Sequence, residues 1–229
     1  MSAVEEQAVV ITGANGHVGA AVVRRLSGRG PLALIGHAPE KSSGDSEDRI
    51  AYFAADLGDE PSVQAVAGEI RRKFGVIRGL VHTVGGYAGG MPAQEQSLDS
   101  VRKMFELNFI TSVNVVKALL PDILRAEHGR IVLFASAAAL RGQAGGSAYA
   151  ASKAALLRYA ESLAEEVAPR GVGVRVIAPT TIDTPVNRKA MPDGRFEDWV
   201  TLPELADTVA FLLDPASSGV RFATVPMGR

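Results

Sequence analysis

Tyr149 and Lys153 lie four residues apart in the segment Ser147–Leu156. An α-helix turns once in about 3.6 residues, so a helix here would place both side chains on one face. Because a fixed cation favours the ionised form of a neighbouring phenol, we expect Lys153 to lower the pKa of Tyr149 from its ordinary value of about 10. The pair could then exchange protons near neutral pH. A core tyrosine beside a solvated lysine would show the same spacing, so the hypothesis needs support from its surroundings.

Short apolar runs alternate with helical patterns along the whole chain. Strands are predicted at Ala8–Ile11, Leu32–Ile35, Ile50–Ala55, Leu80–Val84, Ile131–Phe134, Val172–Ile177 and Phe222–Val225. Helices are predicted after the first strand, from Asp59 to about Phe74, and at Leu98–Leu119, Ala148–Ala168 and Glu204–Leu213. Continuous apolar strands joined by helices indicate an α/β protein with a doubly wound parallel sheet of about seven strands, covered on both faces. No shift in composition marks a boundary, so residues 1–229 are predicted to form one domain.

The composition narrows the classes of function. The chain has 229 residues, 47% of them hydrophobic, and a formal net charge of −1, which argues against a nucleic-acid binder or a polybasic membrane anchor. It has no cysteine, which excludes disulfides and thiolate metal sites, and no metal site is predicted. The acidic N-terminus does not resemble a signal peptide, and no apolar run is long enough to span a membrane. We therefore expect a cytoplasmic protein.

A glycine-rich turn, Thr12–Gly19, follows the first predicted strand and precedes a helix. Gly13 would permit the tight turn, Gly16 the close approach of a ligand to the backbone, and Gly19 the packing of helix on strand. The N–H groups and the positive end of such a helix suit a pyrophosphate. In this context the turn predicts a Rossmann fold that binds a dinucleotide.

The end of the second strand bears on which dinucleotide is bound. NAD-specific sites usually carry a carboxylate there for the ribose 2′-hydroxyl. Here His37 stands at that position, Glu40 follows Pro39, and Lys41 is close by. These residues favour NADP(H), with NAD(H) as the alternative. Asp56, at the end of the third strand, is a candidate acceptor for the adenine amino group, and it could equally cap the following turn.

Two polar residues fall where the reacting end of a dinucleotide should lie. Ser136 ends the fifth predicted strand, thirteen residues before Tyr149, and Asn108 interrupts an apolar helical pattern. Asparagine is unfavourable inside a helix, so its presence there suggests a purpose. A loop hydroxyl and a satisfied buried amide are the structural alternatives.

Over essentially its full length the chain resembles a short-chain dehydrogenase/reductase. The matching features are the turn at 12–19, Asp56, Asn108, Ser136, the pair Tyr149 and Lys153, and the segment Pro179–Pro185. The resemblance implies that Asn108, Ser136, Tyr149 and Lys153 form a catalytic tetrad. It also implies cofactor contacts by Gly13, Asn15, Gly16, His17, Val18, Gly19, His37, Asp56, Leu57, Thr83, Gly85, Tyr149, Lys153, Pro179, Ile182 and Thr184.

The chain departs from the family pattern at three places. The glycine turn places glycine at positions 16 and 19, where short members usually have one at the position of His17. His82 and Thr83 replace an Asn-Asn pair, so Thr83 must brace the strands, and Thr180 replaces a glycine. All four tetrad residues are intact. A Gly-Gly-Tyr-Ala-Gly-Gly run around Tyr87 is similar to that of dihydropteridine reductases.

The resemblance implies hydride transfer between a nicotinamide and a small-molecule carbonyl or secondary alcohol. Ser136 would hold the substrate oxygen, Tyr149 would exchange its proton, and Asn108 would anchor a water leading to Lys153. A non-catalytic NAD(P)-binding redox regulator and a dihydropteridine-reductase-like enzyme are the alternatives. Small substrate loops are predicted at residues 86–94 and 186–200, at least one of them a mobile lid. A homodimer or homotetramer is expected, because the family pairs the helices predicted at 98–119 and 148–168.

Overall fold

The strands of this protein are almost entirely apolar, and that composition places them in the middle of the fold. The computed structural model describes residues 7–36, 49–220 and 222–228. The strands are β1 (Ala8–Thr12), β2 (Leu32–Gly36), β3 (Ile50–Ala54), β4 (Ile77–His82), β5 (Arg130–Phe134), β6 (Gly173–Pro179) and β7 (Phe222–Met227). Every residue of β1, β5 and β6 is buried, as expected for parallel strands with helices on both faces.

The seven strands form one parallel sheet in the order β3-β2-β1-β4-β5-β6-β7. The helices are α1 (His17–Leu26), α2 (Glu60–Phe74), α3 (Leu98–Phe105), α4 (Thr111–Ile123), α5 (Ser147–Val167), α6 (Pro185–Ala190) and α7 (Leu202–Leu213). One apolar core layer packs α2, α4 and α5 on the sheet, and the other packs α1 and α7 on the opposite face. The predicted doubly wound α/β fold is therefore confirmed.

Three of the predicted segments differ from the structure by more than two residues or in kind, and several other ends differ by one or two residues. β4 begins at Ile77, three residues early, because Gly75 ends α2 with a φ of 70° and the chain enters the sheet at once. Thr83 and Val84, assigned to this strand from the sequence, lie beyond its last residue. The helix predicted at 98–119 is not continuous, because a π-turn at Glu106–Ile110 separates α3 from α4.

The third error concerns the segment predicted as a loop at 186–200. Most of its first half is α6, and Thr184 caps that helix by accepting a hydrogen bond from the N–H of Asn187 at 3.2 Å. Val200 forms a parallel bridge with Ile182, which ties the end of the segment back to its beginning. Closure of this segment or of residues 86–94 over a substrate stays a prediction.

The helices expected to pair in an oligomer direct many of their apolar residues into the core of this chain. Val116, Leu119, Leu156, Leu157 and Leu163 are all buried in the core layer beneath α4 and α5. Assembly into a dimer or tetramer therefore stays a prediction that rests on the family resemblance. In the part of the chain that the structure describes, no helix combines the length and the apolar character needed to cross a membrane.

Candidate active site

The candidate site lies at the carboxyl ends of the strands, where β1 and β4 are neighbours and the direction of winding reverses. Crossovers leave β1 and β4 toward opposite faces at such a point, so a crevice opens between them. The glycine turn follows β1, and the loop that begins with Thr83 follows β4. The crevice is therefore built from the two segments that the sequence singled out.

The glycine turn has the close contacts that demand glycine. Gly13 has a φ of 69°, and a Cβ on Gly19 would lie 2.1 Å from the carbonyl oxygen of Gly13. Gly16 precedes α1 and has no side chain with which to cap it. The N-terminus of α1, formed by His17, Val18 and Gly19, is thus packed tightly against the end of β1. Such an arrangement leaves helix N–H groups for a phosphate ligand.

A cavity of about 270 Å³ extends from this turn across the ends of β2 and β3. Its lining comprises Gly13, Ile35, Gly36, Ala55, Asp56, Leu57, Gly58, Val84, Glu106, Leu107 and Thr111. The walls are mainly apolar, with the Asp56 carboxylate as a polar group, which suits a flat heterocycle with an exocyclic amine. Tyr149 does not belong to the lining of this cavity.

The polar residues of this cavity are held in place locally. Asp56 accepts a hydrogen bond from the N–H of Gly58 at 2.9 Å, so it caps the turn as well as lining the cavity. The carbonyl of Leu57 accepts a hydrogen bond from the side chain of Asn114 at 3.0 Å. Asn15 covers the end of β2 so closely that a Cβ on Gly36 would lie 1.8 Å from its side-chain oxygen. His37 and Lys41, on which the preference for NADP(H) was based, lie outside the described residues.

Lys153 is a buried cation on α5, with 4% of its surface exposed. Its ammonium donates a hydrogen bond to the carbonyl of Phe134 at 2.7 Å, and burial lowers its pKa to about 8. A Cβ on Gly85 would lie 2.9 Å from Nζ of Lys153 and equally close to Oδ1 of Asn108. Glycine at position 85 therefore lets the loop after β4 pass directly over the lysine.

Tyr149 precedes Lys153 by one turn of α5, as predicted, but its pKa is not lowered. Burial raises the pKa of the phenol, a hydrogen bond with Ser136 lowers it, and the neighbouring Tyr87 raises it further. The expectation that Lys153 depresses the pKa of Tyr149 is thus wrong for the ligand-free protein. Desolvation of the phenolate is the largest effect on this pKa, and Lys153, whose ammonium donates to the carbonyl of Phe134, is not among the groups that shift it.

Asn108 lies in the middle of the π-turn and is fully buried. Its side chain exchanges two hydrogen bonds with the backbone of Gly86, accepting from N–H at 2.9 Å and donating to the carbonyl at 3.0 Å. It also contacts the hydroxyl of Ser152 at 3.1 Å. The amide therefore joins the loop after β4 to α5. π-turns are common at functional sites, and this one explains why asparagine interrupts an apolar helix. Its role toward a water stays a prediction.

A chain of hydrogen bonds connects β1, β4 and the π-turn. The hydroxyl of Thr83 donates to the carbonyl of Thr12 at 2.8 Å, which is the strand-bracing contact predicted for it. The hydroxyl of Thr12 bonds Nδ1 of His82 at 2.8 Å, and Nε2 of His82 faces the hydroxyl of Thr111 at 3.4 Å. Burial and the charge of Lys153 lower the pKa of His82 to about 3, so this imidazole is neutral.

The directions of these hydrogen bonds fix the state of the imidazole. Thr111 donates its own hydroxyl proton to the carbonyl of Leu107 at 2.8 Å, so its oxygen is left to accept a hydrogen bond. His82 must then carry its proton on Nε2 and accept from Thr12 on Nδ1. The sequence marked position 82 only as a departure from the family pattern.

The remaining residues predicted to contact a cofactor lie at the end of β6 and in the segment after it. Pro179 is the buried last residue of β6, Ile182 is half-buried, and Thr184 is buried at the start of α6. Arg188 forms a two-pronged ion pair with Asp183, at 2.6 and 2.8 Å. Pro179 thus ends β6, Ile182 and Thr184 follow it, and Ser136 lies just after the carboxyl end of the neighbouring β5.

Residues 7–194 match the short chain dehydrogenase family. The chain belongs to this family. Two curated relatives are similar over most of its length. It is 28% identical to the 3-oxoacyl-[acyl-carrier-protein] reductase of Escherichia coli, over 91% of this chain and 90% of that protein. It is 30% identical to the dihydropteridine reductase of Dictyostelium discoideum, over 87% and 84%. The solved structure of ElxO with NADP bound has a TM-score of 0.87 at 22% identity, covers 96% of this chain and 97% of ElxO, and shares the fold.

Membership of the short-chain dehydrogenase family confirms the predicted oxidoreductase class. The structure also shows residues that the sequence did not single out for the site. Gly36, Gly58 and Leu107 line the cavity, and Ser152 and Thr111 support the polar residues around Lys153. A glycine at the end of β2 was the visible signal for the first of these. Leu107, Thr111 and Ser152 become apparent only when the π-turn is known.

Proposed function

We propose that this chain is an NAD(P)-dependent oxidoreductase that transfers a hydride between a nicotinamide and the carbonyl or secondary alcohol of a small molecule. The observation that carries the proposal is the meeting of Tyr149 with Ser136 and Lys153 beside a glycine turn built for a phosphate. Tyr149 and Ser136 share a hydrogen bond, and Lys153 is buried one helical turn away. A regulator that only binds the cofactor would not need this arrangement.

The residues present fit a dinucleotide. The glycine turn and the N-terminus of α1 would hold its pyrophosphate, and the cavity beside Asp56 and Leu57 would hold its adenine. Pro179, Ile182 and Thr184 would line the nicotinamide end. When bound, the nicotinamide supplies or accepts the hydride.

The state of Tyr149 favours the direction of carbonyl reduction. Its raised pKa keeps the phenol protonated at neutral pH, ready to donate a proton to the substrate oxygen as negative charge develops there. Ser136 would donate a second hydrogen bond to the same oxygen and orient it. Lys153, whose pKa of about 8 lies near the working pH, would bind the ribose hydroxyls and return a proton to Tyr149.

We infer a preference for NADP(H) over NAD(H). β2 ends in Leu-Ile-Gly36, so no carboxylate from this strand would repel a 2′-phosphate. The side chain of Asn15, packed over Gly36, is uncharged and able to donate a hydrogen bond. NAD(H) is the second candidate, and the KM values for NADPH and NADH distinguish the two.

A dihydropteridine-reductase-like activity is a second candidate, favoured by one feature of the site. Tyr87 packs edge-on against Tyr149, with ring centroids 5.0 Å apart, and lies in the run of glycines from 85 to 90. An exposed aromatic ring beside the proton donor suits a flat bicyclic substrate. The relative from Dictyostelium discoideum is named for that activity.

Oxidation of NADPH and of NADH should be followed at 340 nm with a panel of ketones, quinones and a quinonoid dihydropterin. We expect turnover with at least one carbonyl compound and a lower KM for NADPH than for NADH. Turnover of the pterin alone would favour the second candidate. Tight binding of the cofactor without turnover of any compound would instead indicate a regulator. We also propose that the protein acts in the cytoplasm as a homodimer or homotetramer, and that its partner is a small-molecule substrate rather than a nucleic acid or a membrane.

A further inference from the structure

Two arginines are completely buried at the opposite edge of the sheet from the candidate active site. Arg130 is the first residue of β5, and Arg175 is the third residue of β6. Their exposed fractions are 1% and 0%. Arginine is almost never so deeply buried without a partner. The proposed oxidoreductase chemistry uses neither residue, because it takes place at the other ends of the same strands.

The backbone is shaped to receive both guanidinium groups. Arg130 lies directly opposite Gly173 in the sheet. The side chain of Arg175 folds back over the same glycine, and a Cβ there would lie 1.8 Å from Nη1 of Arg175. One nitrogen of each group is fixed by the backbone. Nη1 of Arg130 donates to the carbonyl of Gly129, and Nη2 of Arg175 donates to the carbonyl of Ser217, both at 2.8 Å.

The other nitrogens of both groups are buried without a hydrogen-bond partner among the described residues. They are Nε and Nη2 of Arg130, and Nε and Nη1 of Arg175. Burial and the charge of Arg130 lower the pKa of Arg175 to about 10, so both groups remain charged at neutral pH. Buried charges with unmet hydrogen bonds are strongly unfavourable, which calls for a counter-ion.

The unpartnered edge of Arg130 is the one that binds carboxylates elsewhere in this chain. Arg71 uses Nε and Nη2 to hold both oxygens of Asp122, at 2.8 and 2.6 Å. Arg188 uses the same two nitrogens on Asp183. This planar fork matches the spacing of two oxygens on a carboxylate or phosphate. In Arg130 the fork is buried and presents both N–H groups.

Further cations lie at the same edge. Arg29 and Arg78 line a surface recess there together with Gln7 and the turn at 30–32. The charge of Arg78 acts on Arg130, lowering its pKa, so the two groups are close. The recess does not extend to Arg130 or Arg175, and the carboxylate of Asp214 also acts on Arg78. Arg78, Arg130 and Arg175 nevertheless form a cluster of neighbouring cations, which attracts anions to this edge.

We propose that Arg130 and Arg175 form a second binding site, at the amino edge of the sheet, for a small oxyanion such as a phosphate or a carboxylate. The fork of Arg130 would take two oxygens, and Nη1 of Arg175, beside Gly173, would take a third or share one. This site is separate from the phosphate-binding turn at the start of α1, which lies at the carboxyl edge.

The test uses thermal unfolding of the full chain in sodium phosphate, sodium acetate and sodium chloride at equal ionic strength. We expect a saturable rise in Tm of about 2 °C or more with phosphate or acetate over chloride, by preferential binding to the folded state. Whichever anion acts identifies the oxyanion as a phosphate or a carboxylate. The Arg130→Lys variant keeps the charge but lacks the fork, so its apparent affinity should fall about tenfold.

The Arg158→Lys variant is the matched control, because Arg158 is exposed and pairs with Glu161 on the surface of α5. Its response should equal that of the wild type. The glycine turn is unchanged in all three proteins, so the difference between them reports on the amino edge alone. If Arg130→Lys does not fold, anomalous diffraction from wild-type crystals grown with selenate provides the measurement. We expect a selenium peak within hydrogen-bonding distance of the Arg130 fork.

An anion effect of equal size in Arg130→Lys would overturn the proposal. So would a diffraction map showing only water at the fork, or equal Tm values in all three salts. None of these outcomes depends on turnover. Failure of this proposal is therefore distinguishable from failure of the proposed oxidoreductase activity.

Discussion

Both edges of the sheet bury a cation, but they bury different kinds. At the carboxyl edge Lys153 donates to the carbonyl of Phe134, and burial brings its pKa to about 8. At the amino edge Arg130 and Arg175 stay charged under similar burial, and four of their nitrogens lack a partner among the described residues. Lysine can meet the cost of burial by releasing its proton, whereas arginine cannot. A charge that can be lost thus lies at the proposed oxidoreductase site, and a permanent charge lies at the proposed anion site.

The polar groups around the two cations differ in the same way. Around Lys153, the imidazole of His82 is bonded by the hydroxyls of Thr12 and Thr111, and Asn108 bonds Ser152 and the backbone of Gly86. Around the arginines, only backbone carbonyls provide acceptors among the described residues. The carboxyl edge is therefore preorganised before any ligand binds. At the amino edge, N–H groups of Arg130 and Arg175 have no acceptor among the described residues.

The largest effect that would separate the two edges is expected from Tyr149→Phe. Loss of the proton donor should lower kcat by about 10³-fold or more, since general acid catalysis commonly contributes 10² to 10⁴. Binding of the cofactor, followed by nicotinamide fluorescence, should change little. Tyr159→Phe is the matched control, because Tyr159 lies on the same helix and packs against Phe109 instead. Normal turnover in Tyr149→Phe would contradict the role given to this residue.

The next effect concerns the neutral imidazole at the carboxyl edge. His82 has a pKa of about 3 in the folded chain, against about 6.5 when unfolded, so the unfolded state binds a proton that the folded state excludes. Stability should therefore be lost as the pH falls from 6.5 toward 3, by about 3 kcal/mol at pH 4. Urea unfolding of His82→Asn should show a flatter dependence on pH in this range.

His128 provides the control for this measurement. It is exposed and has a positive φ of 56°, a conformation that asparagine also tolerates. The variant His128→Asn should keep the slope of the wild type between pH 6.5 and 4. If His82→Asn kept that slope too, His82 would not be the neutral link between β1 and the π-turn.

The outline of the fold was predictable because a short run of apolar residues is enough to indicate a buried strand. The runs around Val10, Leu34 and Val132 are apolar without interruption, and each became a central strand. The glycine turn and the pair Tyr149 and Lys153 were predictable for a similar reason, since each depends on a short spacing. Positions fixed by one element could therefore be found from sequence.

Features that depend on several elements could not be found in this way. The π-turn at Asn108 exists because its amide bonds Gly86 on one side and Ser152 on another, and these lie 22 and 44 residues away. The pKa of Tyr149 depends chiefly on burial by surrounding segments and on contacts with Ser136 and Tyr87, which the spacing of Tyr149 and Lys153 does not reveal. The unmatched arginines follow from the register of β5 against β6, where Arg130 meets Gly173.

The smallest effect is expected above pH 8, where the buried Lys153 loses its proton. It is also the most direct test of the difference between a buried lysine and a buried arginine. As Lys153 loses its proton, kcat/KM for the nicotinamide cofactor should fall by roughly tenfold per pH unit, because this quantity reports the free enzyme.

The free energy of unfolding should move in the opposite direction over the same pH range. The folded pKa lies below the unfolded value, so stability should rise by about 1 kcal/mol between pH 8 and 9 as the buried charge is relieved. Lys153→Arg, which keeps its proton, should show neither the fall nor the rise in this range. A variant that retained both would place the titration on another residue and remove the distinction between the two edges.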